Sequence, residues 1–230
     1  MASTDLLVRM VGKSPPAATT SVVLMHGFGA GGEDLVGLAR ELGPQPNVRF
    51  LFPAAPLLLE GDPDGARAWW MIDFARLERM QRSGRDQRSV DEIPDGLAEA
   101  RAAIDSLLDQ LAADGTQRII LGGFSQGSML ALDVALHRQA PIAGLALMST
   151  THINGAAWKE RLERVRGVPI FMSHGSRDPL LPFATARDLR DLLAAAGADV
   201  DWVEFAGGHE IPRPVLAGVA RLITRVAAGT

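Results

Sequence analysis

Short apolar runs alternate along the chain with longer stretches in which apolar residues recur every three or four positions. The runs Leu6–Val11, Val22–Met25, Phe50–Phe52, Arg118–Leu121, Leu145–Met148, Ile170–Met172 and Asp201–Phe205 predict strands. Between the later ones, Leu97–Leu111 sets Leu97, Ile104, Leu107, Leu108 and Leu111 on one stripe, with Pro94 before it and Gly115 after it as boundary signals. Leu130–His137, Thr185–Ala196 and Val215–Val226 carry the same helical spacing. Strands alternating with helices predict an α/β fold with a mainly parallel central sheet, covered by helices on both faces. The segment Leu57–Ile93 breaks the rhythm: it is rich in Gly, Pro, Asp and Arg and has only short apolar pieces. A connection this long is usually functional or mobile, and the segment is expected to be an active-site loop.

Composition narrows the chemistry. The chain of 230 residues is 47% hydrophobic and 22% charged with a net charge of −4, so neither disorder nor a nucleic-acid-binding surface is indicated. No composition break marks a boundary, and residues 1–230 are read as a single domain. The sequence has no cysteine and no tyrosine, which removes disulfides, thiolate metal sites, a Cys nucleophile and phenolic catalysis. Covalent chemistry is left to Ser, Thr, Lys, His or a carboxylate. Met1–Met10 lacks the basic start and apolar stretch of a secretory signal, and no run approaches the ~20 apolar residues of a membrane span. A cytoplasmic protein without a membrane span is the expectation.

Gly123-Phe124-Ser125-Gln126-Gly127 forms a G-x-S-x-G turn, preceded by the apolar run Arg118–Leu121 and followed by a helical pattern. Strand, sharp turn and helix are the context of a nucleophile elbow, which lifts the serine hydroxyl above the sheet at a helix N-terminus. A Gly-Ser turn that merely caps a helix is the plainer alternative, and the flanking elements favour the nucleophile.

A serine nucleophile needs an imidazole base, and the imidazole needs a carboxylate to orient it. In α/β-hydrolases the chain order is Ser, then acid, then His. Among the downstream histidines, His137 lies in a helical pattern beside Arg138 and reads as a solvated surface residue. His152 follows a strand without a feature that makes it the base, and His174 comes before any suitable acid. His209, between the strand Asp201–Phe205 and the last helix, holds the position of the base. Asp178, in the loop after Ile170–Met172, stands where ligands gather in open α/β sheets. Glu210 competes as the acid but adjoins the base in sequence, so its side chain is poorly placed to meet the same ring.

Glycines 27, 29 and 32 match G-x-G-x-x-G after a strand, the dinucleotide-binding pattern. That reading requires an acidic residue about twenty positions on, where the chain has Phe50-Leu51-Phe52-Pro53-Ala54-Ala55-Pro56 instead. His26-Gly27-Phe28-Gly29 fits better as the loop that supplies an oxyanion amide, so that Phe28 and Gln126 donate their backbone N–H groups and His26 is structural. His209-Glu210 lacks the second histidine of H-E-x-x-H, and no other cluster has metal-ligand spacing, so neither metal nor cofactor is expected.

Five segments in order, HGFGAGGED, RAWWMID, GGFSQGS, SHGSRDPLLPF and GGHEIP, resemble the phospholipase/carboxylesterase group of α/β-hydrolases, which includes the acyl-protein thioesterases. The resemblance runs from about Val22 to the C-terminus and implies an α/β-hydrolase fold. It further implies a Ser125–Asp178–His209 triad, oxyanion amides at Phe28 and Gln126, and cofactor-free hydrolysis of esters or thioesters through an acyl-enzyme. Gly127-Ser128 stands where the family usually carries Gly-Gly, and Leu57–Arg88 departs most from the thioesterase pattern.

Trp69, Trp70, Met71, Ile72 and Phe74 gather large apolar surface within an otherwise polar segment. They either staple the loop to the core or wall the substrate pocket, and both roles hold if one tryptophan ring faces inward and the other the cleft. Leu180, Leu181 and Phe183 offer an opposite wall. The resulting expectation is a serine carboxylesterase for small, short- to medium-chain esters, as a monomer or homodimer, with Trp69, Trp70, Met71 and Leu181 at the substrate. The alternatives are a thioesterase or lysophospholipase for longer chains, and a hydrolase-fold binding protein without catalysis.

Overall fold

The structure is a computed structural model that describes residues 6–43, 45–61, 65–73 and 93–229. Seven strands form one sheet: β1 (Val8–Val11), β2 (Thr20–Met25), β3 (Val48–Pro53), β6 (Arg118–Phe124), β7 (Gly144–Met148), β8 (Pro169–Gly175) and β9 (Asp199–Phe205). Their order is β1-β3-β2-β6-β7-β8-β9. Only β1 runs antiparallel, against β3, and every other pairing is parallel. A two-stranded hairpin, β4 (Leu57–Leu58) and β5 (Arg67–Ala68), stands apart from this sheet.

The central strands are apolar throughout because both of their faces are buried. Val22 and Leu24 of β2 pack with Phe50, Phe52, Ile120, Ala146, Met148 and Phe171 on one side. Val23 and Met25 join Leu51, Leu121, Leu145, Leu147 and Met172 on the other. The first side is closed by α6 (Arg213–Ala228), through Val215, Val219, Leu222, Ile223 and Val226, and by the short α1 (Leu38–Glu41). The second is closed by α2 (Leu97–Ala113), α3 (Gln126–His137), α4 (Gly155–Lys159) and α5 (Phe183–Ala195). A 3₁₀ turn spans Leu162–Val165. All seven expected strands are present. β6 and β8 run three residues past their apolar cores, because Gly122–Phe124 and Ser173–Gly175 remain in the ladder. Among the described residues no helix is long and apolar enough to cross a membrane.

In the Leu57–Ile93 segment, Leu57–Gly61, Gly65–Asp73 and Ile93 are described, and the remainder, including Phe74, lies outside the described residues. Its hairpin is tied to the body at two points. Gly29 donates its N–H to the Arg67 carbonyl at 2.9 Å, and Arg67 returns its N–H to Ala30 at 3.0 Å. The Arg67 guanidinium also reaches the Ala55 carbonyl at 2.9 Å.

Candidate active site

Parallel strands bring their carboxyl ends to one edge of the sheet, where loops from separate strands meet. The order β2-β6-β7-β8-β9 therefore lines up, side by side, the loop of His26–Phe28, the turn at Ser125, and the loops that carry Asp178 and His209.

Ser125 is the one residue between β6 and α3 and adopts φ 54°, ψ −119°. Backbone in that region is costly for a side-chain-bearing residue and persists where its surroundings enforce it. Here the Ser125 N–H donates to the Met148 carbonyl at 2.9 Å. The Ser125 carbonyl in turn accepts from the Ser128 hydroxyl at 2.6 Å and from the Ser128 and Met129 amides at 3.0 and 3.2 Å. The flanking glycines are dictated by close approach. A Cβ on Gly123 would collide with the Met25 carbonyl and the Gly127 backbone, and one on Gly127 with the carbonyls of Met25 and His26. The motif thus records how tightly the elbow is pressed against the end of β2. Ser128, in place of the usual glycine, caps the same turn.

Asp178 and His209 meet directly. His209 Nδ1 lies 2.7 Å from Asp178 Oδ2, the Asp178 side chain is 0% exposed, and that of His209 is 13% exposed. Asp178 Oδ1 accepts the Leu180 and Leu181 amides at 2.9 and 3.0 Å. Burial by itself raises the Asp178 pKa, but the hydrogen bonds from His209, Leu181 and Leu180 and the charge of His209 outweigh it and hold the carboxyl below the usual carboxylate range. The two loops are stitched together by the Ser176 N–H to the Phe205 carbonyl and the Arg177 N–H to the Gly207 carbonyl, both at 2.9 Å. The ring of Phe124, the residue before Ser125, lies with its centroid 4.6 Å from that of His209, which sets the imidazole beside the elbow. Glu210 turns away: its Oε1 accepts the Gly208 amide at 3.1 Å.

The glycine-rich loop packs on the same spot. A Cβ on Gly27 would stand 3.4 Å from the Ser125 Cβ, so the His26–Phe28 backbone runs alongside the elbow. His26 is buried, and its Nε2 accepts the Ala55 N–H at 2.9 Å. Its Nδ1 therefore carries the proton, donated to the Gly27 carbonyl at 2.7 Å. Burial pushes the His26 pKa down, so the ring stays neutral and serves as a brace.

Trp69 and Trp70 differ from the expected pair of one inward and one outward ring. Both are buried, at 1% and 3% exposed, while Met71 is 62% exposed. Trp69 Nε1–H finds its partner inside, at the His26 carbonyl, 3.0 Å away. The Gln126 carboxamide holds both backbones, accepting the Trp69 N–H at 2.9 Å and donating to the Trp70 carbonyl at 2.8 Å. That side chain escaped the sequence reading, which used only the Gln126 amide. Leu181 is buried beside Asp178, and Leu180 is exposed. His137 is not a solvated surface residue: its Nδ1–H donates to the Asp133 carbonyl at 2.8 Å and its side chain is 17% exposed. His152 is half-buried. Among the described residues no three His, Cys, Asp or Glu side chains are grouped to hold a metal ion.

Known proteins share this arrangement of elements. The structure superposes on the crystal structure of esterase PE8 with a TM-score of 0.79 and 26% identity, covering 96% of this chain and 99% of that one. It superposes on Zea mays acyl-protein thioesterase 2 with a TM-score of 0.74 and 20% identity over 96% and 99% of the two chains, a likeness of fold. In sequence, the chain is 27% identical to acyl-protein thioesterase 1 of Gibberella zeae over 208 residues, 84% of this chain and 86% of that protein. It is likewise 27% identical to the Cryptococcus neoformans acyl-protein thioesterase 1 over 181 residues, 77% of this chain and 74% of that protein. Residues 9–226 match the model of the phospholipase/carboxylesterase family, and the chain belongs to that family.

Proposed function

We propose that this protein is a serine carboxylesterase acting on short- to medium-chain carboxylic esters, with Ser125, His209 and Asp178 as its triad. One observation carries the reading. The buried Asp178 carboxylate receives His209 Nδ1–H at 2.7 Å, on the same sheet edge as the strained Ser125 elbow. With the proton on Nδ1, His209 Nε2 keeps a lone pair for the Ser125 hydroxyl. Ser125 Oγ attacks the ester carbonyl as His209 takes the hydroxyl proton. The resulting oxyanion is met by the Phe28 and Gln126 amides, each such donor being worth about 3–4 kcal/mol of barrier. His209 then gives its proton to the departing alcohol. Water, deprotonated by the same imidazole, cleaves the acyl-enzyme. Trp69 and Trp70 sit behind the acyl side in this reading, and Met71 and Leu181 contact the substrate.

The test is hydrolysis of p-nitrophenyl acetate and butyrate. The Ser125→Ala variant is expected to lose about 10⁴-fold or more in kcat. Turnover by Ser125→Ala at the wild-type rate overturns the assignment. The thioesterase relatives favour one second reading, an acyl thioesterase or lysophospholipase for longer chains. A chain-length series of esters and thioesters separates the two by where kcat/KM peaks.

A further inference from the structure

His174 is fully buried at the end of β8, four residues before Asp178, and the reaction as derived so far does not use it. Its Nε2 lies 3.0 Å from the Leu181 carbonyl and 3.4 Å from Asp178 Oδ2, the oxygen that also takes His209 Nδ1–H. Leu181 completes a ring of contacts, because its own N–H donates to Asp178 Oδ1 at 3.0 Å. A carbonyl only accepts, so the proton of this imidazole is on Nε2. Nδ1 is buried with no hydrogen-bond partner among the described residues. A second proton there would be a buried donor with nowhere to go.

We propose that His174 is a positioning residue for the reaction: its neutral Nε2–H, donated to the Leu181 carbonyl and held 3.4 Å from Asp178 Oδ2, fixes the triad carboxylate in place for His209 and tempers its charge. The inference rests on the triad reading above. Burial, the largest influence, pushes the His174 pKa down, and the Leu181 carbonyl and Asp178 only partly oppose it, which keeps the ring neutral. The titratable groups facing it are Asp178 and His209. Glu204, its register partner on β9, is exposed, and the neighbour from α5 is the Phe183 ring, 6.1 Å between centroids. An unpaired buried nitrogen is an unusual thing to retain for packing alone, where a phenyl ring fills the same space without it.

The test compares His174→Phe, which keeps the ring and removes the donor, with His174→Gln, whose Nε2 lies the same number of bonds from Cβ as that of histidine. His174→Phe is expected to lower kcat about tenfold, the loss of the buried hydrogen bond that holds the Leu181 turn against the carboxylate, with KM within about twofold. It also removes positive potential from Oδ2, so that the carboxylate favours a protonated His209 more strongly. The acidic limb of kcat/KM therefore moves to higher pH by about 0.3 unit or more. His174→Gln is expected to recover most of the rate and return the limb. In wild-type protein, imidazole ¹⁵N spectra are expected to show the His174 proton on Nε2, with no titration near the ordinary histidine value of ~6.5. A proton on Nδ1, a ring titrating near that value, or a His174→Phe enzyme with unchanged kcat and pH profile overturns the proposal. So does His174→Gln if it matches His174→Phe. The spectra decide the matter if His174→Phe does not fold. Loss of the triad reading is separate, since it requires Ser125→Ala to stay active.

Discussion

Replacing Asp178 with asparagine perturbs the site with almost no change in volume, and the hydrogen bonds dictate the outcome. Oδ1 accepts two backbone amides, from Leu180 and Leu181, at 2.9 and 3.0 Å. An asparagine must keep its carbonyl oxygen there, because its NH₂ cannot accept. The NH₂ then occupies the place of Oδ2, 2.7 Å from His209 Nδ1 and 3.4 Å from His174 Nε2. Donor would face donor at His209, so that imidazole shifts its proton to Nε2 and takes the asparagine N–H at Nδ1. The tautomer left facing Ser125 has no lone pair for the hydroxyl proton. Loss of the base by this route is expected to lower kcat about 10⁴-fold, which is ~5.5 kcal/mol of barrier, while the amide contacts hold the loop in place. The assay is p-nitrophenyl butyrate hydrolysis at about pH 7.5, with circular dichroism and a urea titration to establish the fold. An Asp178→Asn enzyme that is folded and within tenfold of wild type refutes the reasoning.

Two further outcomes follow from buried contacts. Gln126→Met keeps the bulk of the side chain but takes away the carboxamide that pairs the Trp69 N–H and the Trp70 carbonyl. At ~1–3 kcal/mol for each buried group left unpaired, roughly 2–6 kcal/mol of unfolding free energy is lost, read from the urea midpoint, and a change below about 1 kcal/mol contradicts the clamp. Stability also depends on pH through His26 and His174, whose pKa values burial pushes below the 6.5 of an exposed ring. Well above pH 6.5 both states are neutral at these rings; as pH falls toward and through it the unfolded chain binds protons that the folded rings refuse, so stability falls as pH drops. Asp178, held below its ordinary value of 3.8, adds a further loss as pH falls past that value and the unfolded carboxyl takes a proton first. Urea midpoints are expected to decline from about pH 8 to pH 5, and a flat or rising series refutes the assignment of both rings as buried and neutral.

Much of this molecule was legible in its sequence because the sheet is covered on both faces. Strands such as Val22–Met25 and Leu145–Met148 have no polar face to obscure them, and the stripe of Leu97–Leu111 needs one helix to satisfy it. Residues such as Gly122–Phe124 and Ser173–Gly175 stay in the ladder through backbone pairing, which composition does not betray. The hairpin of Leu57–Leu58 and Arg67–Ala68 is too short to have a period at all. At the site, chain order and loop position singled out Ser125, Asp178 and His209, and the structure brings the last two into contact. What stayed hidden depends on distance in space rather than along the chain. The Gln126 carboxamide reaches back 57 and 56 residues to Trp69 and Trp70. Chain order excludes His174 as the base because it precedes the acid, yet the turn after β8 brings Asp178 back against it. Apolar size alone assigns one tryptophan ring to the core and the other to the cleft, whereas both are buried, and the inward pull of the Trp69 Nε1–H depends on a carbonyl 43 residues back.

The central claim is that Ser125 is the nucleophile, and covalent capture tests it most directly. A fluorophosphonate reacts only with a serine that is activated as a nucleophile, so the account predicts one label per chain, found on the peptide that contains Ser125, with esterase activity lost in step with labelling. Asp178→Asn is expected to label far more slowly, and Ser125→Ala not at all. A label on any other residue, or full loss of activity with Ser125 unmodified, would contradict it.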